Sequence, residues 1–241
     1  VRIFGGVFQP RLIPTLFSLV LVVILLSLGT WQVERLHWKE NLIADIATRS
    51  QIPPLDIAAV PQDADLSSLE YRKAIVTGQF MHLHEFHVIA ISLDGQGGYH
   101  ILTPFLLDDG RYLLVNRGWV PYDKKTPDTR EVGQIADKVT LSGIVRLPHA
   151  GWLQPNNNSD TNIWYSQDLS AMAHKMGIEE FMPILLDVDS TPNKGGYPIG
   201  GQTRVEIPNN HLGYALTWFG LAIALACIYF ISSWKREALL K

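Results

Sequence analysis

One imidazole stands at the mouth of an apolar segment. In NNHLGYALTWFGLAIALACIYFISSW, residues 209–234, no Asp, Glu, Lys or Arg occurs, and His211 is the only histidine. Asn209-Asn210 before it predicts a helix start with an Asn cap, which puts His211 in the first turn. There the helix dipole and partial desolvation both favour the neutral ring, whose lone pair binds metals. Tyr214, Ala215, Trp218 and Ala222 follow at i+3, i+4, i+7 and i+11, a stripe that offers a ligand, an aromatic wall and small residues for close approach. A noncovalent heme suits that stripe, with His211 on iron and with Trp218 and Tyr214 against the macrocycle. Arg35 and Lys39 are the candidate cations for its propionates. A plainer reading fits the same residues: His211 as an interfacial anchor, with the small residues serving helix packing alone.

A second cluster is MHLHEFH, with Met81, His82, His84 and His87. On a strand His82 and His84 would share a face, and imidazole with thioether suits copper. The same alternation also describes a half-exposed hairpin end. Other chemistries lack their residues. There is no Cys-x-x-Cys-His for covalent heme, and Cys227 is the single cysteine, so no intrachain disulfide forms. Zinc-type spacing is missing, and so is a nucleophile elbow. Gly195-Gly196 and Gly200-Gly201 lie in a Pro-containing loop rather than between a strand and a helix. A nonenzymatic protein is expected. The net charge of −3 argues against nucleic acid as a partner.

Of the 241 residues 47% are hydrophobic, and two uncharged runs carry much of that, Leu12 to Thr30 and His211 to Trp234. At about 1.5 Å per residue each crosses a hydrocarbon core about 30 Å thick. The first is read as an uncleaved anchor. Lys235, Arg236 and Lys241 after the second span, with Arg2 and Arg11 before the first, favour cytoplasmic ends and an extracytoplasmic centre. The predicted layout is a cytoplasmic segment 1–11, a transmembrane helix 12–30, a β-rich extracytoplasmic domain 31–210 with a juxtamembrane helix, a second transmembrane helix 211–234 and a tail 235–241.

The juxtamembrane stretch keeps helical period, with Trp31, Arg35, Trp38 and Leu42 on one face and Gln32 and Lys39 on the next, until Pro53-Pro54 stops it. Strands are predicted at 71–80, 86–92, 99–107, 111–120, 138–146, 162–167 and 183–188, rich in β-branched and aromatic residues. Asp109-Gly110 marks a tight turn, and one short helix is capped by Asp168 and stopped by Gly177. The fold class is membrane α+β: two transmembrane helices flanking one mostly antiparallel, barrel-like domain.

LGTWQVERLHWKENLI, GYHILTPF, VNRGWVP, NIWYSQDL and NNHLGYALTWFGLA, in that order, resemble the Surfeit-locus-one family over nearly the whole chain. The resemblance implies an assembly factor for heme-copper cytochrome c oxidase. It implies heme a as cofactor, and oxidase subunit I, heme a synthase and the lipid bilayer as partners. The family's axial histidine falls on His211 and its associated tryptophan on Trp218. Trp31, Arg35, Trp38, Arg117, Gly118 and Trp119 match positions of structural or docking character. The implied location is the bacterial inner membrane with a periplasmic centre, or the mitochondrial inner membrane in a eukaryote.

Overall fold

The order of elements is β1 (Arg2–Ile3), β2 (Gly6–Phe8), α1 (Leu12–Gln51), β3 (Leu55–Asp56), β4 (Lys73–Phe80), β5 (Phe86–Ile91), β6 (Gly97–Leu107), β7 (Tyr112–Pro121), β8 (Val139–Arg146), β9 (Ile163–Trp164), α2 (Leu169–Met176), β10 (Phe181–Val188), α3 (His211–Ser232) and β11 (Trp234–Arg236). This is a computed structural model, and it describes residues 2–3, 6–148, 155–178, 181–203 and 209–236. Most of the predicted tail, residues 237–241, lies outside the described residues. Two compact units result, one of residues 1–45 with 206–241 and the other of residues 46–205.

In the first unit α1 and α3 are each long and apolar enough to cross a membrane. Helix α1 runs past its uncharged stretch and ends at Gln51, just before the two prolines, as the periodicity predicts. The terminal strands were not anticipated. β2 pairs antiparallel with β1 and with β11, bringing Phe8 opposite Trp234.

The second unit is a β-barrel with additions. Strands β4, β8, β10, β7 and β6 are neighbours in that order, and β6 pairs back to β4 through Gly78–Phe80 and 105–107 to close the ring. All pairs in the ring are antiparallel except β10 with β7. The length of β6 explains how an extra strand fits: residues 97–102 pair with β5 while 105–107 close the barrel on β4. Alternation sorts side chains between two cores. Leu113 and Val115 of β7, with Ile184 and Leu186 of β10, point into the barrel beside Phe80 and Phe105. Leu114 and Leu185, the residues between them, point outward to Phe86, Trp164 and the α2 residues Leu169 and Met172. β7 and β10 are therefore buried on both faces and read as continuous apolar runs. Helix α2 has the predicted ends: Asp168 accepts a hydrogen bond from the Ala171 amide, and Gly177 is left-handed at φ +67°. The predicted strand 162–167 shrinks to Ile163–Trp164, because Asn162 itself has φ +54° and leaves the extended region.

The NRGW stretch of β7 binds the barrel to its neighbours. Asn116 Nδ2 donates to Asp187 Oδ1 at 2.9 Å while its Oδ1 accepts from the Gly118 amide at 3.1 Å. Arg117 is 1% exposed, lies over the Phe80 ring and donates to the Gly133 carbonyl. Burial brings its pKa down to about 10, with the positive charge of Arg130 adding to the effect. Gly118 has φ +117°, and a Cβ there would lie 1.9 Å from the Ile199 carbonyl oxygen, the atom that accepts from the Trp119 amide at 2.9 Å. Only glycine satisfies both conditions.

The copper arrangement at MHLHEFH does not form. Residues 82–84 make a 3-10 turn rather than a strand, so His82 and His84 share no strand face. His82 donates through Nε2 to the Ile135 carbonyl at 2.8 Å, and its Nδ1 faces the Arg117 guanidinium at 3.3 Å. His87 Nε2 donates to Glu85 at 2.8 Å, and Glu85 also takes Arg130. Burial alone would raise the Glu85 carboxyl, but the hydrogen bond from His87 and the charge of Arg130 hold it below its usual range. Among the described residues no three His, Cys, Asp or Glu side chains form a metal group.

Two outcomes are expected for the full chain in detergent. Gly110 also has positive φ, but a Cβ there meets nothing within 4 Å. Gly110→Ala should therefore show backbone strain alone, lowering the thermal midpoint by roughly 2–6 °C, and Gly118→Ala should lower it at least about twice as far. Equal losses would mean that the Ile199 contact is immaterial. The second outcome concerns acid. Burial depresses the His82 pKa, and the Arg117 charge acts in the same direction against the bond to Ile135. Unfolded, the ring takes a proton near its ordinary value of about 6.5. Its contribution is thus whole above that pH and drains away as the pH falls toward the lower folded value. Burial shifts His100 the same way. Thermal midpoints should fall between pH 7 and pH 5, and His82→Gln should make that fall shallower without abolishing it.

Candidate functional site: the two-helix seam

The seam follows from the spacing of residues along the two apolar helices. On α1 a row of residues turned from solvent steps by three and four, Thr15, Ser18, Val22, Leu25, Gly29, Gln32, Leu36 and Lys39, with Leu21, Leu28 and Val33 partly buried beside it. On α3 they are His211, Ala215, Trp218, Phe219, Ala222, Leu225 and Tyr229. That alternation is the signature of a helix face packed along a neighbouring helix; Thr15 meets Tyr229 and Gln32 meets His211, so the two run antiparallel. Residues off it, such as Leu12, Ile13, Phe17, Leu216 and Ile223, are more than half exposed, the disposition of side chains that meet lipid.

Small residues let the helices touch. Ala215 and Ala222 are 2% and 4% exposed. A Cβ at Gly29 would sit 2.5 Å from Phe219 Cε1, so the Phe219 ring fills the space a larger residue would need.

Two polar pairs mark the ends of this contact. Thr15 Oγ1 and Tyr229 Oη are 2.6 Å apart, beside Phe8, which stacks on Phe230 at 5.1 Å. At the other end His211 Nδ1 lies 2.7 Å from Gln32 Oε1. The pairs are separated by seventeen residues on α1 and eighteen on α3, roughly 26 Å of helix and close to the thickness of a hydrocarbon core.

The bond between His211 and Gln32 fixes the chemistry of the ring. An amide oxygen only accepts, so Nδ1 carries the hydrogen and the lone pair of the neutral ring falls on Nε2. Among the described residues Nε2 has no hydrogen-bond partner. The N–H side of the ring, rather than its lone pair, is thus turned toward the neighbouring helix. Asn210 occupies the predicted cap position, but its side chain makes no capping bond, and its carbonyl accepts from the Tyr214 amide instead.

The other predicted site residues are only partly brought together. Trp218 lies half-buried on the seam with Ala215 and Ala222. Tyr214 does not share that face. It is 57% exposed, because three helical steps leave it roughly 60° round from His211 while four and seven steps return to the seam. Arg35 is exposed, its guanidinium carbon 3.8 Å over the Trp38 ring. Lys39 is half-buried, two turns beyond Gln32 on the same face, and forms no ion pair among the described residues. Trp31 and Trp38 are about half exposed, at 53% and 49%. The residue that the sequence reading passed over is Gln32, which lay on a face noted only as adjacent. The three-and-four spacing from Thr15 to Lys39 was the signal that would have placed it opposite His211.

Comparison with known proteins assigns the chain. The model of the SURF1 family matches residues 19–223. Surfeit locus protein 1 of Homo sapiens is 40% identical over 229 residues, covering 88% of this chain and 75% of the human one. The rat protein of that name is 38% identical over 230 residues, with 89% and 74% covered. That of Takifugu rubripes is 36% identical over 237 residues, with 91% and 97% covered. With the family profile running through both helices and the barrel, the chain belongs to the SURF1 family.

Proposed function

We propose that the protein is a membrane-bound, nonenzymatic assembly factor for heme-copper cytochrome c oxidase that carries heme a on His211 and hands it to subunit I. The observation that carries the reading is a histidine at the rim of a two-helix pair, with one nitrogen engaged by Gln32 and the other free to bind iron. When bound, heme a supplies the iron porphyrin that the oxidase requires. The chain's own part is to hold the His211 ring oriented, to offer Trp218 and Tyr214 as aromatic neighbours, and to keep Arg35 and Lys39 within the same stretch of α1 for carboxylates.

The packing supports one side of the pair for the cofactor. Gly29 and Phe219 are in contact, and the His211 ring touches Gln32, so a porphyrin has no room between the helices at those levels. The outer surface of the pair, where Tyr214 is exposed, would hold it instead. An open face suits a carrier that must release its load. In this reading both helices span the membrane. The unit of residues 46–205 faces the periplasm or the intermembrane space, and heme a synthase is the donor.

The closed seam also favours a second reading, a scaffold without cofactor that steadies subunit I. The test is optical. Co-expressed with the heme a pathway and purified in mild detergent, the wild-type protein should carry heme a, and His211→Ala should retain at least about tenfold less at the same protein yield. Traces of heme equal in both proteins would leave the scaffold as the function.

A further inference from the structure

We propose that Gln32 is the positioning residue for His211: its amide oxygen holds the ring in the Nδ1–H tautomer, so that Nε2 alone is presented to iron. The inference rests on the heme reading above and adds to it the residue that sets the strength and aim of the ligand.

Three observations carry it. The first is the contact, 2.7 Å from Gln32 Oε1 to His211 Nδ1. The second is burial. Gln32 is 8% exposed and stands on the seam face of α1, between Gly29 and Leu36. An amide on an apolar helix keeps a hydrogen-bond partner because lipid offers none, and here that partner is the ring. The third is that the restraint comes from another helix. Rotation of the imidazole about its own χ angles is limited by α1, while the ligating atom belongs to α3. Metal-bound histidines generally donate their second nitrogen to a carbonyl or carboxylate, which fixes tautomer and orientation.

The type of acceptor matters as well. A carboxylate at this place would draw the Nδ1 proton and make Nε2 a stronger donor to iron. The neutral amide orients the ring without that push, so the ligand is well aimed but moderate. That combination fits a protein that must let its cofactor go.

The test uses the full-length protein in detergent micelles, with histidine labelled by nitrogen-15. In the cofactor-free protein, long-range proton–nitrogen correlations should show His211 as the Nδ1–H tautomer. Gln32→Leu should redistribute the ring between tautomers and speed heme a dissociation to apomyoglobin by roughly 10- to 100-fold. Gln32→Glu, which keeps an acceptor and guards against a folding defect in the leucine variant, should keep the tautomer, slow dissociation and lower the heme reduction potential. An Nε2–H tautomer in the wild type would overturn the proposal. So would a dissociation rate and potential unmoved by both substitutions while His211→Ala abolishes binding, and in that case the heme reading survives. If neither the wild type nor any variant retains heme although Nδ1–H is found, the heme reading fails and takes this role with it.

Discussion

A polar group on an apolar helix has to find its partner within the protein, and that requirement organises the first unit. Lipid cannot satisfy an amide, an imidazole or a hydroxyl. The seam has polar pairs at its two ends, Thr15 with Tyr229 and Gln32 with His211, and Gly29, Ala215 and Ala222 between them. Gly29 leaves room for the Phe219 ring, and the polar pairs fix the register in which that ring and Gly29 meet. Sliding one helix by a turn would unmake both pairs and drive Phe219 against a residue larger than Gly29. The contact is therefore specified even though dispersion between apolar helices is indifferent to register.

The barrel is organised by a different restriction, the crowding of backbone at one point of β7. Gly118 lets the Ile199 carbonyl approach where any Cβ would collide. Asn116 on one side and Trp119 on the other use that approach for hydrogen bonds to Asp187 and Ile199. Arg117 between them is sent inward to lie on Phe80. A buried guanidinium without a carboxylate of its own is costly. Its contacts with the Gly133 carbonyl and His82 offset part of that cost and bind the 3-10 turn at residue 82 to the barrel. Protonating His82 would place a second positive charge beside Arg117, which is why acid acts on this corner of the fold.

Much of this was legible in the residues. The two apolar runs, the helix stop at Pro53-Pro54, the ends of α2 and all the long strands follow from local rules of hydropathy, capping and β-branching. What was not legible depended on pairing at a distance. Closure of the barrel needs Gly78–Phe80 to meet residues 105–107, and nothing local announces that. The terminal sheet likewise depends on residues from the two ends of the chain meeting. At the site, His211 and Trp218 were found from the apolar run and the family motif. Tyr214 was misplaced because i+3 and i+4 were treated as one stripe, whereas a closely packed seam distinguishes them. Gln32 was missed for another reason: it was placed only on the face next to Trp31 and Arg35, and only the opposing helix shows it to be buried.

In the proposed heme carrier, the position of Gln32 along α1 also bears on release. Trp31 precedes it and Trp38 follows six residues later, both about half exposed, with Arg35 stacked on Trp38. Such aromatic and basic residues settle where hydrocarbon gives way to headgroups and water. The bond between Gln32 and His211 thus lies at the wet end of the seam, while the pair formed by Thr15 and Tyr229 lies at the far end. A ligand at that depth can hold the apolar body of a porphyrin against lipid and leave charged propionates near water and Arg35. A ligand placed mid-seam would have to bury those charges. It would also have to part the contact of Gly29 with Phe219 to let the cofactor in or out. On the proposed reading, a ligand at the rim lets the cofactor load and unload without separation of the helices.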